Sequence, residues 1–181
     1  DCQISDIKIL HSEIKVLKMS YEEADQALRE DQALSKLNKL AKSHKAFRNN
    51  NGAIKLDLPN VDVKLKNKKV DIQIQTESES RKLVAEMMVI AGRVIAQYAT
   101  ENKISMPFLT QEVGSFSEDI IQNKENLTAT QAFQATRCFK QSKITPKASL
   151  HAGLGLSCYI RVTSPIRRYL DLLTQQQLVR F

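Results

Sequence analysis

Thr163-Ser164-Pro165-Ile166-Arg167-Arg168-Tyr169-Leu170-Asp171-Leu172 decides how this chain is read, and Leu154-Gly155-Leu156-Ser157-Cys158-Tyr159-Ile160-Arg161-Val162 leads into it. From Thr163 onward the pattern is a helix start. Thr163 or Ser164 can cap, and Pro165 suits the first helical position, where a missing N–H costs nothing. Ile166, Tyr169, Leu170 and Leu173 then fall at i, i+3, i+4 and i+7, an apolar stripe for burial. The charge does not fit. Arg167 and Arg168 are placed in the first turn, where free N–H groups and the macrodipole favour acidic side chains. Two guanidinium groups there form a focused anion site, with fork geometry suited to phosphate. An ordinary helix would pair Arg167 with Asp171 and leave Arg168 in water. The Ser-Pro cap and a tyrosine expected to be buried tilt the reading toward phosphate.

Composition sets the outer bounds. The 181 residues suffice for one domain with a real core, or for part of a larger one. A hydrophobic share of 42% beside 26% charge is the balance of a folded soluble protein. No apolar run approaches membrane-spanning length and no signal-peptide pattern appears, so no membrane partner is expected. The net charge of +7 favours a polyanion, with nucleic acid the usual candidate. Cys2, Cys138 and Cys158 are too widely spaced for a disulfide framework and include no CxxC pair. His11, His44 and His151 do not cluster, and neither a Gly-rich phosphate loop nor a Gly-x-Ser-x-Gly elbow is present.

Residues 1–16 alternate at Ile4, Ile7 and Ile9 and are expected to begin in mid-sheet. With no Met at the start, the chain reads as a piece of something longer. Ser20 followed by Glu23 is a capping-box start for a helix through Leu28, Leu34 and Leu40 toward Phe47, interrupted near Asp31 and ended by Asn49-Asn50-Asn51-Gly52. The lysines and arginine around 36–48 are expected on its solvated face. Alternation over Ile54–Leu58, Val61–Leu65 and Val70–Ile74 predicts two or three antiparallel strands with one polar face.

Ser78-Glu79-Ser80-Arg81 opens the clearest helix, striped by Leu83, Val84, Met87, Met88, Ala91, Val94, Ile95 and Tyr98. Glu86 lies beside that stripe. Spacing alone favours a flank carboxylate in water over an acceptor aimed at a sugar hydroxyl. Residues 115–125 and Thr128–Phe139 read as further helices, the second burying Ala132, Phe133 and Ala135. Thr145-Pro146 and His151–Gly155 read as loops, and a closing helix runs from about Pro165 to the C-terminus. The fold class is therefore α+β, helix-dominated around a small antiparallel sheet.

Tyr159 to Leu172 resembles the signature near the end of the catalytic (RNB) domain of the ribonuclease II and ribonuclease R family, roughly Tyr-x-His-Phe-Thr-Ser-Pro-Ile-Arg-Arg-Tyr-x-Asp-Leu. The resemblance extends in family order over nearly the whole chain. Ser20–Ala24 is similar to Leu-Thr-Tyr-x-x-Val, and Gly52–Pro59 to Gly-x-Ile-x-Phe-Asp-x-Pro. Arg81–Ala91 is similar to Leu-Ile-Glu-Glu-x-Met-Ile-x-Ala-Asn, and His151–Leu156 to His-x-Gly-Leu-x-Leu. The versions here look most like the branch known from cyanobacteria and plastids.

The resemblance implies a Mg²⁺-dependent, hydrolytic 3′-to-5′ exoribonuclease that releases nucleoside 5′-monophosphates from single-stranded RNA. Arg167 matches the arginine that contacts phosphate near the scissile bond. Tyr159, Thr163, Ser164 and Arg168 fall in the same wall and are expected against the RNA backbone. Glu86 corresponds to a carboxylate that reads the ribose 2′-hydroxyl. The chain departs from the pattern at Ala85-Glu86, where the family has Glu-Glu, and at Arg161, where it has His. Lys55 and Leu56 replace an aromatic, and Gln175 stands where Asp-Leu-x-x-His ends.

The family's metal-binding aspartates lie upstream of everything matched, and the oligonucleotide-binding-fold domains that flank the catalytic domain are missing too. The expectation is thus a C-terminal portion of the catalytic domain over 1–181, which lacks metal ligands and is inactive alone. Its partners would be single-stranded RNA and the missing N-terminal part of the same enzyme. The place expected is the cytoplasm, with the plastid as the alternative. A non-catalytic RNA-binding or regulatory module of a split or degenerate enzyme is the competing reading.

Overall fold

The computed structural model describes residues 2–53, 61–66, 69–74, 78–115 and 128–180. The helical part begins as the sequence predicts. Helix α1 spans Tyr21–Glu30, and its capping box is complete: Ser20 Oγ accepts from Glu23 N–H at 3.1 Å, and Ser20 N–H donates to Glu23 Oε2 at 2.7 Å. Asp31 ends α1 and starts α2, Gln32–Asn50. Its own N–H donates to Ala27 O, while Oδ1 accepts from Ala33 and Leu34 N–H. Helix α3, Glu79–Glu101, is capped by Ser78 and packs against both. At its start Ser80 N–H donates to Asp25 Oδ1 at 2.8 Å, and Ser80 Oγ donates to Tyr21 O at 3.0 Å.

At 23 residues, or about 35 Å at helical rise, α3 is long and apolar enough to pass for a membrane span by length and composition. That qualifies the expectation that nothing in the chain approaches such a length. Its packing against α1 and α2 and the buried ionised Glu86 make it the central helix of a folded core. Small side chains let neighbours approach closely. Ala96 and Ala99, both 0% exposed, pack with Ile104, Met106, Phe108 and Ile160, flanked by Tyr98 and Leu178.

Two antiparallel strand pairs and two further helices complete the described fold. Strands β1, Val61–Lys66, and β2, Lys69–Ile74, pair from Val61↔Ile74 to Lys66↔Lys69. The expected strand at Ile54–Leu58 and the helix over residues 115–125 lie outside the described residues, apart from Ser115. The predicted alternation is correct but its apolar face is not covered: Val63, Leu65, Val70 and Ile72 are all more than 60% exposed. Strands β3, Phe108–Thr110, and β4, Lys143–Thr145, pair as Leu109↔Ile144, so Thr145 is a strand end and not part of a loop. Helix α4 spans Ala129–Cys138, and a 3₁₀ turn covers Ala152–Leu154. Helix α5 spans Tyr169–Arg180. The three cysteines are free thiols.

Other expectations are corrected. Residues 2–19 form no strand, because alternation shapes a pleated face but a strand also needs a neighbour to pair with. The segment is tied instead by Arg93 Nη2, which donates to Cys2 O at 2.9 Å. Phe133 is 61% exposed, although Ala132 and Ala135 beside it are fully buried. Val84, placed on the α3 stripe, is 44% exposed. The buried line of α3 runs through Leu83, Glu86, Gly92, Ala96 and Ala99.

Candidate functional site

Ile160 is 0% exposed and bridges Phe108, and its N–H donates to Gly92 O at 3.3 Å. This fastens the signature segment to α3 before the chain leaves the core. Ser164 O then accepts from both Arg167 N–H (3.3 Å) and Arg168 N–H (3.0 Å), closing a turn over 164–168. The first α5 bond is Leu172 N–H to Arg168 O, at 3.2 Å. The expected helix start at Pro165 is therefore a turn, and both arginines precede the helix. Asp171, 0% exposed in the first turn of α5, accepts from Ser164 N–H through Oδ2 at 2.9 Å. A carboxylate is favoured there by the helix dipole.

Arg168 Nη2 donates to Ser164 Oγ at 3.0 Å, and its Nε lies 3.9 Å from Asp171 Oδ2. Gln175 Nε2 adds a bond to Val162 O at 2.9 Å. The pairing considered for an ordinary helix is thus reversed: Arg168 meets Asp171, and Arg167 stands exposed with no side-chain partner among the described residues. Ser164 and Arg168, expected against RNA, spend polar groups on the turn itself. Thr163 is exposed. The apolar stripe is also corrected. Ile166 precedes the helix and is fully exposed, and Tyr169 is 73% exposed. Asp171 and Thr174 occupy the buried side instead, with Leu170 and Leu173 half-buried.

Tyr159 sits half-buried beside this turn. Its ring meets His151 edge-on, with centroids 5.7 Å apart at 82°. Burial pushes the Tyr159 hydroxyl up from its ordinary range and His151 down, so both rings are held neutral near pH 7. The other side of Tyr159 rests on Gly92. A β-carbon there would overlap the Tyr159 ring edge and the Ile160 carbonyl oxygen. Gly92→Ala is therefore expected to cost about 1–3 kcal/mol and to displace Tyr159. A lowered melting temperature and a changed near-UV signal in a chain without tryptophan would check it.

Glu86 is neither a flank carboxylate in water nor a free acceptor. It is 6% exposed, and both oxygens are taken: Arg48 Nε reaches Oε1 at 2.8 Å and Nη2 reaches Oε2 at 2.5 Å. His44 Nδ1 also meets Oε1 at 2.5 Å. A carboxylate only accepts, so Nδ1 carries the proton. Arg48 Nη1 donates onward to Leu154 O at 3.2 Å, tying α2 and α3 to the glycine turn. Gly155 completes that turn at φ +62°, where a β-carbon would also strike the Arg48 carbonyl. This corrects the solvated-face reading at Arg48, and His44 beside it is buried. The readable signal was their place beside Ala41 at i, i+3 and i+7 on α2.

Burial pushes the Glu86 carboxyl up, but the Arg48 and His44 hydrogen bonds outweigh it and hold the group at about 2. Its stabilisation is therefore complete above the ordinary value of 4.5 and is lost as pH falls from there toward 2. The loss is on the order of 3 kcal/mol. Urea midpoints measured between pH 6 and pH 2.5 are expected to fall with this profile, and Glu86→Gln is expected to flatten it.

Comparison with known proteins decides the family. The RNB domain model matches residues 1–181. The chain belongs to the RNB-domain family. It is 33% identical over 181 residues to an uncharacterised ribonuclease of Synechocystis, covering 97% of this chain and 27% of that protein. The Dss1 exoribonuclease of Candida glabrata has the same fold at TM-score 0.78 and 23% identity, with 91% of this chain and 24% of that one covered. Mycoplasma genitalium RNase R, solved with ribose-methylated single-stranded RNA, superimposes at TM-score 0.73 with 19% identity, over 87% of this chain and 31% of that one. The chain thus spans about a third or less of the length of the relatives it matches. Within this RNB chain, no three His, Cys, Asp or Glu side chains gather as a metal-holding group among the described residues.

Proposed function

We propose that the chain forms part of a hydrolytic 3′-to-5′ exoribonuclease acting on single-stranded RNA. Its own contribution is one wall of the RNA channel and a transition-state arginine. The observation that carries this is Arg167, which stands exposed with no partner among the described residues, on a turn where Ser164 N–H and Oγ are both hydrogen-bonded. A guanidinium held in that way can meet charge as it develops on the phosphoryl oxygens. Exposed Arg161, Thr163, Ile166 and Tyr169 offer cationic, polar and apolar surface in the same segment, with Tyr159 half-buried at its start.

The described residues do not fit the Mg²⁺ implied by the family. The cation would be held by carboxylates outside this chain. Glu86, enclosed by Arg48 and His44, supports the wall from behind; direct reading of a ribose hydroxyl would require that enclosure to open. The ribonuclease names of the relatives favour an enzyme over a purely binding module.

The purified 181-residue chain is expected to leave a 5′-labelled single-stranded RNA intact with Mg²⁺ present. Shortening from the 3′ end would overturn the assignment of the metal ligands to another part of the enzyme. Its binding to that RNA is expected to weaken steeply between 50 and 200 mM salt. A flat salt profile in a filter-binding series would contradict the phosphate-facing wall.

A further inference from the structure

We infer that Asp171 is a positioning residue for Arg167, acting through the turn and never touching RNA. This deepens the proposed function and rests on it. Asp171 is fully enclosed, so no substrate atom reaches it. Its Oδ2 accepts from Ser164 N–H at 2.9 Å, at the residue whose carbonyl receives the Arg167 and Arg168 N–H groups. The same oxygen faces Arg168 Nε at 3.9 Å, and Arg168 closes the ring of contacts by donating to Ser164 Oγ.

One buried carboxylate therefore fixes both ends of a five-residue turn. It engages the neighbouring arginine and leaves Arg167 without an acidic partner among the described residues. The choice between the arginines is geometric: residue 168 lies three positions before Asp171 and directly precedes the helix, whereas Arg167 is turned out to solvent. Loss of Asp171 would free Ser164 N–H, slacken the turn, and release Arg168 to compete for the same phosphate. Its remaining oxygen, Oδ1, is buried with no hydrogen-bond partner among the described residues.

The test uses the full-length enzyme and a 5′-labelled single-stranded oligoribonucleotide under single-turnover conditions. Asp171→Ala is expected to slow cleavage about 10- to 100-fold, with RNA affinity within threefold of wild type. Asp171→Asn retains an oxygen for Ser164 N–H and is expected to recover most of that loss.

The deciding variant is the double. If Asp171 acts through Arg167, Arg167→Ala with Asp171→Ala is no slower than Arg167→Ala alone. Additive losses in the double variant would overturn the inference, as would Asp171→Asn being as slow as Asp171→Ala. A melting curve confirms that each variant is folded at the assay temperature. If Asp171→Ala does not fold, the Asp171→Asn rate in the wild-type and Arg167→Ala backgrounds decides by the same non-additivity. If Arg167→Ala alone leaves cleavage unchanged, it is the exoribonuclease assignment of Arg167 that fails, a separate result.

Discussion

Arg48→Met is expected to cost about 3–5 kcal/mol of folding stability, because it strands an ionised carboxylate in the protein interior. Methionine replaces much of the side-chain volume, so packing loss is a minor part. What disappears is the fork that meets both Glu86 oxygens, together with the bond to Leu154 O. His44 remains on Oε1, but one imidazole cannot satisfy both carboxylate oxygens. Domains of this size have roughly 5–15 kcal/mol in total, so the loss is a large fraction of the whole.

Arg48→Lys should fall between, since an ammonium supplies charge without the two-pronged fit. Pairing Arg48→Met with Glu86→Leu should restore roughly half or more of the loss, because no buried charge is then left unpaired. Urea denaturation followed by circular dichroism checks the series. A single variant as stable as wild type would show that Glu86 takes up a proton or a water without difficulty.

Arg167→Ala in the full-length enzyme is expected to lower single-turnover cleavage by about 10²–10³-fold. RNA affinity should change by less than about tenfold, since one exposed phosphate contact contributes little to ground-state binding. Stability should be unaffected, because the side chain is exposed and contacts no partner in the described structure. Arg167→Lys should recover a minor part of the rate. Equal losses in rate and affinity would instead assign Arg167 to uniform binding.

Local signals were readable in the sequence wherever neighbouring residues decide the outcome. Ser20, Asp31 and Ser78 cap the helices that the pattern foretold, and the β1–β2 alternation pairs in register. The family was legible for a related reason, since the Thr163–Leu172 signature is contiguous. The failures share one cause, which is that partners remote in sequence select among equivalent local patterns. Glu86 could be a wet flank until Arg48, 38 residues away, and His44, 42 away, are brought against it.

Residues 2–16 carry strand alternation but pair with no strand among the described residues. At the signature itself, Asp171 reaches back to Ser164 and delays the helix to Tyr169. That delay turns Ile166 and Tyr169 outward and reverses the roles of the two arginines. The spacing of residues 163–173 allows either arginine to meet the aspartate, and the turn over 164–168 is what selects Arg168.

Photocrosslinking tests most directly whether the 159–169 face is the one that meets RNA. A single-stranded RNA carrying 4-thiouridine near its 3′ end, bound to the full-length enzyme, should attach to peptides within Tyr159–Tyr169. Attachment confined to the basic surface of α2 would contradict the channel-wall placement of Arg167.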